Sequence, residues 1–143
     1  MSKTTESMNL LLADIHVLYT KIQNYHWNVK GPYFFGMHDK TEEYYNHFAT
    51  IYDELAERVL QLEGKPIVTL KQVLELSRLQ EDGSTDFDAA YVAKNLLSDF
   101  DFLRKEFKSL AEVSEDDSTT VAFCDEQVAF LEKENWMLKS FLS

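Results

Sequence analysis

The feature that most constrains this chain is an apolar stripe near its N-terminus that repeats in steps of three and four residues. The stripe runs through Met8, Leu11, Ile15, Leu18, Ile22, Tyr25 and Val29. Because an α-helix places residues three and four apart on one face, this spacing predicts a helix of about seven turns. Gly31 and Pro32 should end it near Lys30, since glycine supplies a left-handed stop and proline cannot continue the hydrogen-bond ladder.

Three further stripes have the same spacing and predict three more helices. They run through residues 44–62, 93–110 and 121–142. Gly64 and Pro66 close the second helix in the same manner as Gly31 and Pro32 close the first. The connection that follows is longer, and its residues 68–76 have the pattern of one short helix. Residues 83–85 offer a break and an N-cap for the third long helix, with Asp86 and Asp88 favourable in its first turn. The polar stretch 114–120 separates the third helix from the fourth.

The fold class predicted from this pattern is all-α, a four-helix bundle with a short helix in the long connection between helices two and three. Residues 1–143 should form a single domain, a size that buries one substantial core. Glycine (4) and proline (2) are scarce and 45% of the residues are apolar, as in long regular helices. A bundle by itself says little about function.

Five potential metal ligands are concentrated around the end of the first helix and along the second. They are His26, His38, Glu42, Asp53 and Glu57. Imidazole and carboxylate together suit Fe(II) while leaving coordination positions open for an oxidant, and carboxylate oxygens also suit the harder Fe(III). The donor types therefore indicate an iron site.

The spacing of these ligands indicates that two chains share each site. His38 and Glu42 are one helical turn apart, and so are Asp53 and Glu57, which face broadly the same side. The 15 positions from His38 to Asp53 correspond to roughly 22 Å along the helix axis, too far for one ion. A second copy of the helix, antiparallel across a two-fold axis, would place His38 and Glu42 of each chain opposite Asp53 and Glu57 of the other. The dimer would then contain two such sites. His26 would complete each site.

Alternative interpretations of the same residues are weaker. His47 lies about 180° around the helix from His38, and His16 about 15 Å along the helix from His26, so neither is assigned a ligand role. The second acidic pair, taken alone, would fit a solvated face that pairs with Arg58. A ferritin-type centre inside one bundle needs Glu-x-x-His pairs. No histidine of this sequence has a glutamate three residues before it, so that centre is excluded.

Several motifs resemble the Dps family of mini-ferritins, within the ferritin-like superfamily. The resemblance is carried by His26-Trp27-Asn28-Val29-x-Gly31, then Phe35 and His38, then Asp53-x-x-Ala56-Glu57-Arg58. It extends through Pro66 and the 136–138 segment and so covers essentially the whole chain. The acidic character looks most like the branch that includes bacterial neutrophil-activating proteins. The spacing from histidine to acid makes this match specific.

The resemblance implies a ferroxidase and iron-storage protein, built as a hollow homo-oligomer of twelve subunits with tetrahedral symmetry. Its Fe(II) would be oxidised to Fe(III) preferentially by hydrogen peroxide, with O2 as the other oxidant, at centres on the two-fold interfaces. The family's ligand positions fall on His26, His38 and Glu42 of one subunit, with Asp53 and Glu57 of its partner. Consumption of peroxide with Fe(II) would protect DNA against oxidative stress. Acids near the start of the fourth helix line the family's iron pores, which makes Asp125 and Glu126 candidates.

The remaining composition bears on partners and location. The net charge is -11 and the N-terminal segment carries only Lys3, which argues against direct DNA binding. No apolar run approaches the roughly 18 residues of a membrane span, and no secretory signal is evident. A single cysteine suits a reducing compartment, so a cytoplasmic location is predicted. Trp27, Trp136 and Cys124 are interpreted as packing residues.

Two other functions remain open at this point. One is a structural or binding protein that coats DNA or engages a receptor, with a metal that only stabilises the assembly. The other is the same centre occupied by zinc in place of iron, since sites of histidine and carboxylate accept several divalent ions.

Overall fold

The computed structural model describes residues 2–143, which form five α-helices and two short strands. The helices are α1 (Lys3–Asn28), α2 (Phe34–Gln61), α3 (Leu70–Leu76), α4 (Ala89–Val113) and α5 (Ser118–Leu142). The strands are β1 (Val29–Lys30) and β2 (Phe87–Asp88), paired in parallel. Helix α1 packs against α2, α4 packs against α5, and α3 lies on α1. The predicted bundle, with a short helix between its second and third long helices, is confirmed.

The predicted apolar stripes form the core. Every residue of the first stripe is buried, and the rings of Tyr44, Phe48, Phe100 and Phe107 fill the centre of the bundle. Cys124 is also fully buried, as predicted. The prediction that the two tryptophans are packing residues is wrong for the single chain, because Trp27 and Trp136 are each 65% exposed.

Two helix boundaries differ from the sequence prediction because of the strand pair. Helix α1 ends at Asn28, since Val29 and Lys30 leave the helix to pair with Phe87 and Asp88. Helix α4 begins at Ala89, and its N-cap is Asp88, whose carboxylate accepts a hydrogen bond of 2.9 Å from the backbone N–H of Tyr91. The N-cap therefore lies beyond the expected 83–85 segment, and Asp88 is the cap and not a first-turn residue. The pairing depends on residues far apart in the chain, which no local pattern reports.

The end of α2 also differs in detail. The residue in the left-handed conformation is Glu63, with φ of 64°, and not Gly64. Glycine at position 64 avoids crowding: a Cβ there would lie 3.0 Å from side-chain carbons of Thr5 and Val59, which would have to shift by a few tenths of an ångström. Gly64 thus lets the end of α2 approach the start of α1.

Buried ion pairs fasten the long connection and the helices beneath it. The Asp14 carboxylate is fully buried and accepts hydrogen bonds from the backbone N–H (2.6 Å), Nε (3.0 Å) and Nη2 (2.7 Å) of Arg78. Lys21 Nζ of α1 lies 2.7 Å from Asp99 Oδ2 of α4. Burial raises the pKa of Asp14 and of Asp99, and their cationic partners oppose that shift.

Within residues 2–143, no helix is both long and apolar enough to cross a membrane.

Candidate metal centre

His26 and His38 meet where α1 ends and α2 begins. Their rings stack with centroids 3.7 Å apart and planes 15° apart. His26 Nδ1 lies 2.7 Å from the backbone oxygen of His38, and His38 Nδ1 lies 2.7 Å from the backbone oxygen of His26. A carbonyl oxygen only accepts hydrogen bonds, so each Nδ1 carries the proton. In the neutral form of each ring the lone pair is therefore on Nε2, the arrangement of a metal-binding histidine.

Three neighbouring side chains hold the two imidazoles in place. Phe34 stacks on His38 with centroids 5.0 Å apart, and Tyr45 meets His26 edge-on at 5.3 Å. Thr41 Oγ1 donates to the backbone oxygen of Met37 at 2.7 Å and lies 3.3 Å from His26 Nδ1. Sequence reasoning missed these three residues. Phe34 and Thr41 stand four residues before and three after His38, which is the helical spacing that would have identified them.

The stacked arrangement of the two rings determines how they can coordinate metal. Each Nε2 lone pair lies in the plane of its own ring, so two nearly parallel rings cannot both point at one ion. The imidazoles therefore offer two separate coordination positions. Glu42 lies beside them, with Oε1 3.8 Å from His26 Nε2, and its side chain is 57% exposed. His26, His38 and Glu42 are thus brought together as predicted.

Asp53 and Glu57 form a separate acidic pair on α2. Both are exposed. The charge of Asp53, together with a hydrogen bond between the two carboxyl groups, raises the pKa of Glu57 above its usual value. Arg58 does not neutralise them: its Nη2 binds both oxygens of Asp117 at 2.9 and 3.0 Å. The two acids lie on an exposed face, but the expected pairing of that face with Arg58 is wrong. A cation would relieve the repulsion between the two acids.

The two groups of ligands remain apart within one chain. Helix α2 is continuous from Phe34 to Gln61, so His38 and Asp53 are roughly 22 Å apart along its axis. In the part of the chain that the structure describes, no group of three or more histidine, cysteine, aspartate or glutamate side chains is placed to hold a metal ion. Each group offers only part of a coordination shell.

The other candidate residues lie elsewhere. His47 faces α5, where its Nε2 is 3.0 Å from Gln127 Oε1 and its ring stacks on Phe130 at 3.6 Å. Burial lowers the pKa of His47. Asp125 and Glu126 are exposed in α5, and their role in a pore stays a prediction.

The chain is similar to known proteins over its whole length. A family model described as a ferritin-like domain matches residues 5–143. The DNA protection during starvation protein of Helicobacter pylori is 44% identical over 143 residues, covering 99% of both chains. The crystal structure of Helicobacter cinaedi CAIP superposes with a TM-score of 0.96 at 38% identity, covering 99% of this chain and 100% of the other.

A third relative is described by its chemistry. The Dps protein of Vibrio cholerae superposes with a TM-score of 0.94 at 30% identity, covering 99% of this chain and 89% of the other. It is described as a member of a broad superfamily of ferritin-like diiron-carboxylate proteins.

Proposed function

Because this chain belongs to the Dps family of ferritin-like proteins, we propose that it is a ferroxidase and iron store. It oxidises Fe(II) at centres shared between two subunits and keeps the ferric product inside a shell of its own copies. The observation that carries this proposal is the division of the candidate ligands into two groups, one where α1 meets the start of α2 and one further along the continuous α2. His26, His38 and Glu42 form one half of a centre, and Asp53 and Glu57 form the other.

A two-fold axis across the middle of α2 joins the halves. The register that sets Glu42 opposite Asp53 also sets His38 opposite Glu57, since both pairs are centred between residues 47 and 48. An isologous interface repeats each pairing, so one dimer has two centres.

The middle of the same helix face is suited to close approach. Asn46 and Ala49, on either side of the axis, are exposed and uncharged. Ala49 borders a hollow of about 160 Å³ between α1 and α2, whose floor includes the ring of Phe48. Small side chains here leave room for the backbone of a second α2.

The donors fit the chemistry of iron oxidation. Hydrogen peroxide takes one electron from each of two Fe(II) ions and two protons from the solvent, giving two Fe(III) ions and two molecules of water. Two imidazoles that cannot share one ion suit a centre that takes iron in pairs. The carboxylates of Asp53 and Glu57 favour the harder ferric product. Delivery of both electrons within one centre avoids the one-electron route that releases hydroxyl radical. Zinc, which binds the same donor types, is expected to compete with iron for them.

The assembly and its protective role follow from the same proposal. A dodecameric, cytoplasmic shell with a net charge of -11 per chain attracts cations towards its pores and interior. DNA is protected because Fe(II) and peroxide are consumed together, with O2 as a second oxidant. Direct DNA binding is not part of the proposal. A gel-shift at low salt should show no retention of DNA, whereas tight and salt-sensitive retention would support a coating function.

The oxidation experiment uses single substitutions in each half of the centre. The protein is loaded with Fe(II) without oxygen, hydrogen peroxide is added, and ferric absorbance is followed. His38→Ala and Asp53→Ala should each slow the first turnover by at least about tenfold, since each removes a ligand. Glu54→Ala, next to Asp53 on the same helix, is the matched control and should leave the rate unchanged. Normal rates in both ligand variants would refute the proposed centre.

A further inference from the structure

We propose that Phe35 of one copy packs against Leu60 of a second copy, and that this contact closes the outer end of each shared centre and fixes the dimer register. The inference rests on the proposed inter-subunit function and adds two positioning residues to it. Neither residue is a ligand. Each lies on α2, outside the group of ligands at its own end of the helix.

Both side chains are apolar and open to solvent in the single chain. Phe35 is 81% exposed and Leu60 is 59% exposed. They stand near opposite ends of α2, so about 37 Å of helix separates them. Large apolar side chains at such exposure mark contact surfaces when they lie on a common face with other interface residues.

The two residues share the face of the proposed ligands. At 100° per residue, Phe35 and Leu60 are only about 20° apart around α2. Phe35 lies two turns before Glu42, and Leu60 lies two turns after Asp53, with the same offset of about 20°. The apolar residues and the proposed ligands are therefore arranged symmetrically about the middle of α2.

The register of the ligands predicts their meeting without adjustment. Positions 35 and 60 are centred between residues 47 and 48, which is also the midpoint of Glu42 with Asp53 and of His38 with Glu57. The pairs 42/53, 38/57 and 35/60 thus have the same midpoint and would share one two-fold axis. A second antiparallel copy of α2 that aligns the ligands also brings Phe35 opposite Leu60 at both ends of the interface when the two helices cross at a small angle. The occupant of this apolar surface is therefore a second copy of the chain.

The contact lies where it can shield the centre. Phe34 stacks on His38, and the ring centroids of Phe34 and Phe35 are 5.5 Å apart. The two phenylalanines therefore form a continuous apolar surface beside the imidazole. In the proposed dimer, Leu60 of the second copy, three residues after its Glu57, extends this apolar surface. Removal of water from the edge of the centre strengthens the attraction between the carboxylates and the cations that they hold.

Disulfide cross-linking tests the contact without using iron. In the double variant Phe35→Cys/Leu60→Cys, oxidation should produce a covalent dimer on a non-reducing gel, because a disulfide needs Cα atoms about 4.4–6.8 Å apart. A bond within one chain is excluded by the roughly 37 Å between the positions. Each single variant should stay monomeric on the gel, and Cys124 is fully buried and so gives no background. The matched control Phe35→Cys/Gln61→Cys shifts the second thiol by about 100° around α2 and should cross-link far less.

A charge exchange tests the positioning role. Leu60→Glu should reduce dimer formation and slow iron oxidation by at least about tenfold, a loss that corresponds to about 1.4 kcal/mol. Adding Phe35→Lys should restore the rate to within about threefold of the wild type, since each new glutamate then faces a lysine. A normal rate for Leu60→Glu, or a double variant no better than the single one, would overturn the positioning role.

The two experiments separate this inference from the proposed function. If the wild type oxidises iron and the cysteine pair does not cross-link, the contact is refuted and the shared centre is unaffected. If the pair cross-links and the wild type does not oxidise iron, the contact stands and the ferroxidase proposal fails.

Discussion

Subunit mixing gives the sharpest test of a centre shared between two chains. His38→Ala removes a ligand from one half of the centre, and Asp53→Ala removes one from the other half. Each variant alone carries a damaged half in every centre, so each should be nearly inactive. In a dimer that contains one chain of each kind, one centre collects both substitutions and the other collects neither.

The size of the recovery follows from counting. Random mixing of equal amounts makes about half of the dimers mixed, and one of the two centres in a mixed dimer is intact. About a quarter of all centres should therefore regain normal structure. The initial rate of ferric absorbance should reach about a quarter of the wild-type rate.

The assay uses co-expressed or co-refolded chains, with native mass spectrometry to verify that the dimers are mixed. Fe(II) is supplied at no more than two ions per centre, so that only the first turnover is followed. A mixture of His38→Ala with Glu42→Ala is the control, because both substitutions fall in the same half and no centre is spared. Recovery in this control, or its absence in the first mixture despite proven mixing, would refute the shared centre.

Three further predictions concern stability and reactivity. Lys21→Met leaves the buried Asp99 carboxylate unpaired and should lower the free energy of unfolding by about 3–5 kcal/mol, whereas the double variant Lys21→Met/Asp99→Leu should recover most of it. Urea denaturation at fixed protein concentration measures the free energy of unfolding of both variants. A double variant that is less stable than Lys21→Met would contradict the prediction. Gly64→Ala should cost about 1–3 kcal/mol because its Cβ would crowd the buried side chains of Thr5 and Val59, while Gly83→Ala, which has open space, should change stability by less than about 0.5 kcal/mol. Burial raises the pKa of Cys124 to about 12, so iodoacetamide should not label it at pH 8 until the protein is unfolded, and labelling of the folded protein would show the thiol to be accessible.

The helices were predictable because their signal is local. An apolar residue at every third or fourth position reports which face of a helix is buried, and the residues of the first stripe are all in the core. The same periodicity placed His38 and Glu42 on one side of α2 and the acidic pair on that side too. The 15 positions from His38 to Asp53 predict, from the rise per residue alone, that one chain cannot bring both pairs to the same ion.

Contacts between segments distant in the chain were not predictable in this way. Val29 leaves α1 to pair with Phe87, and that exchange moved the start of α4 from the expected cap to Asp88. Arg58 crosses to Asp117 instead of its acidic neighbours on α2. A helical period describes one element at a time and carries no information about such tertiary contacts.

The sequence alone determined four amphipathic helices and a divided set of candidate metal ligands, because both depend only on the rise and rotation per residue. Only the tertiary structure decided how the donors are presented. The turn from α1 into α2 stacks His26 on His38 and lets each backbone oxygen bind the other ring, which leaves both Nε2 atoms available for metal. That arrangement depends on where two helices meet in space, a property that the spacing of residues along either helix does not contain.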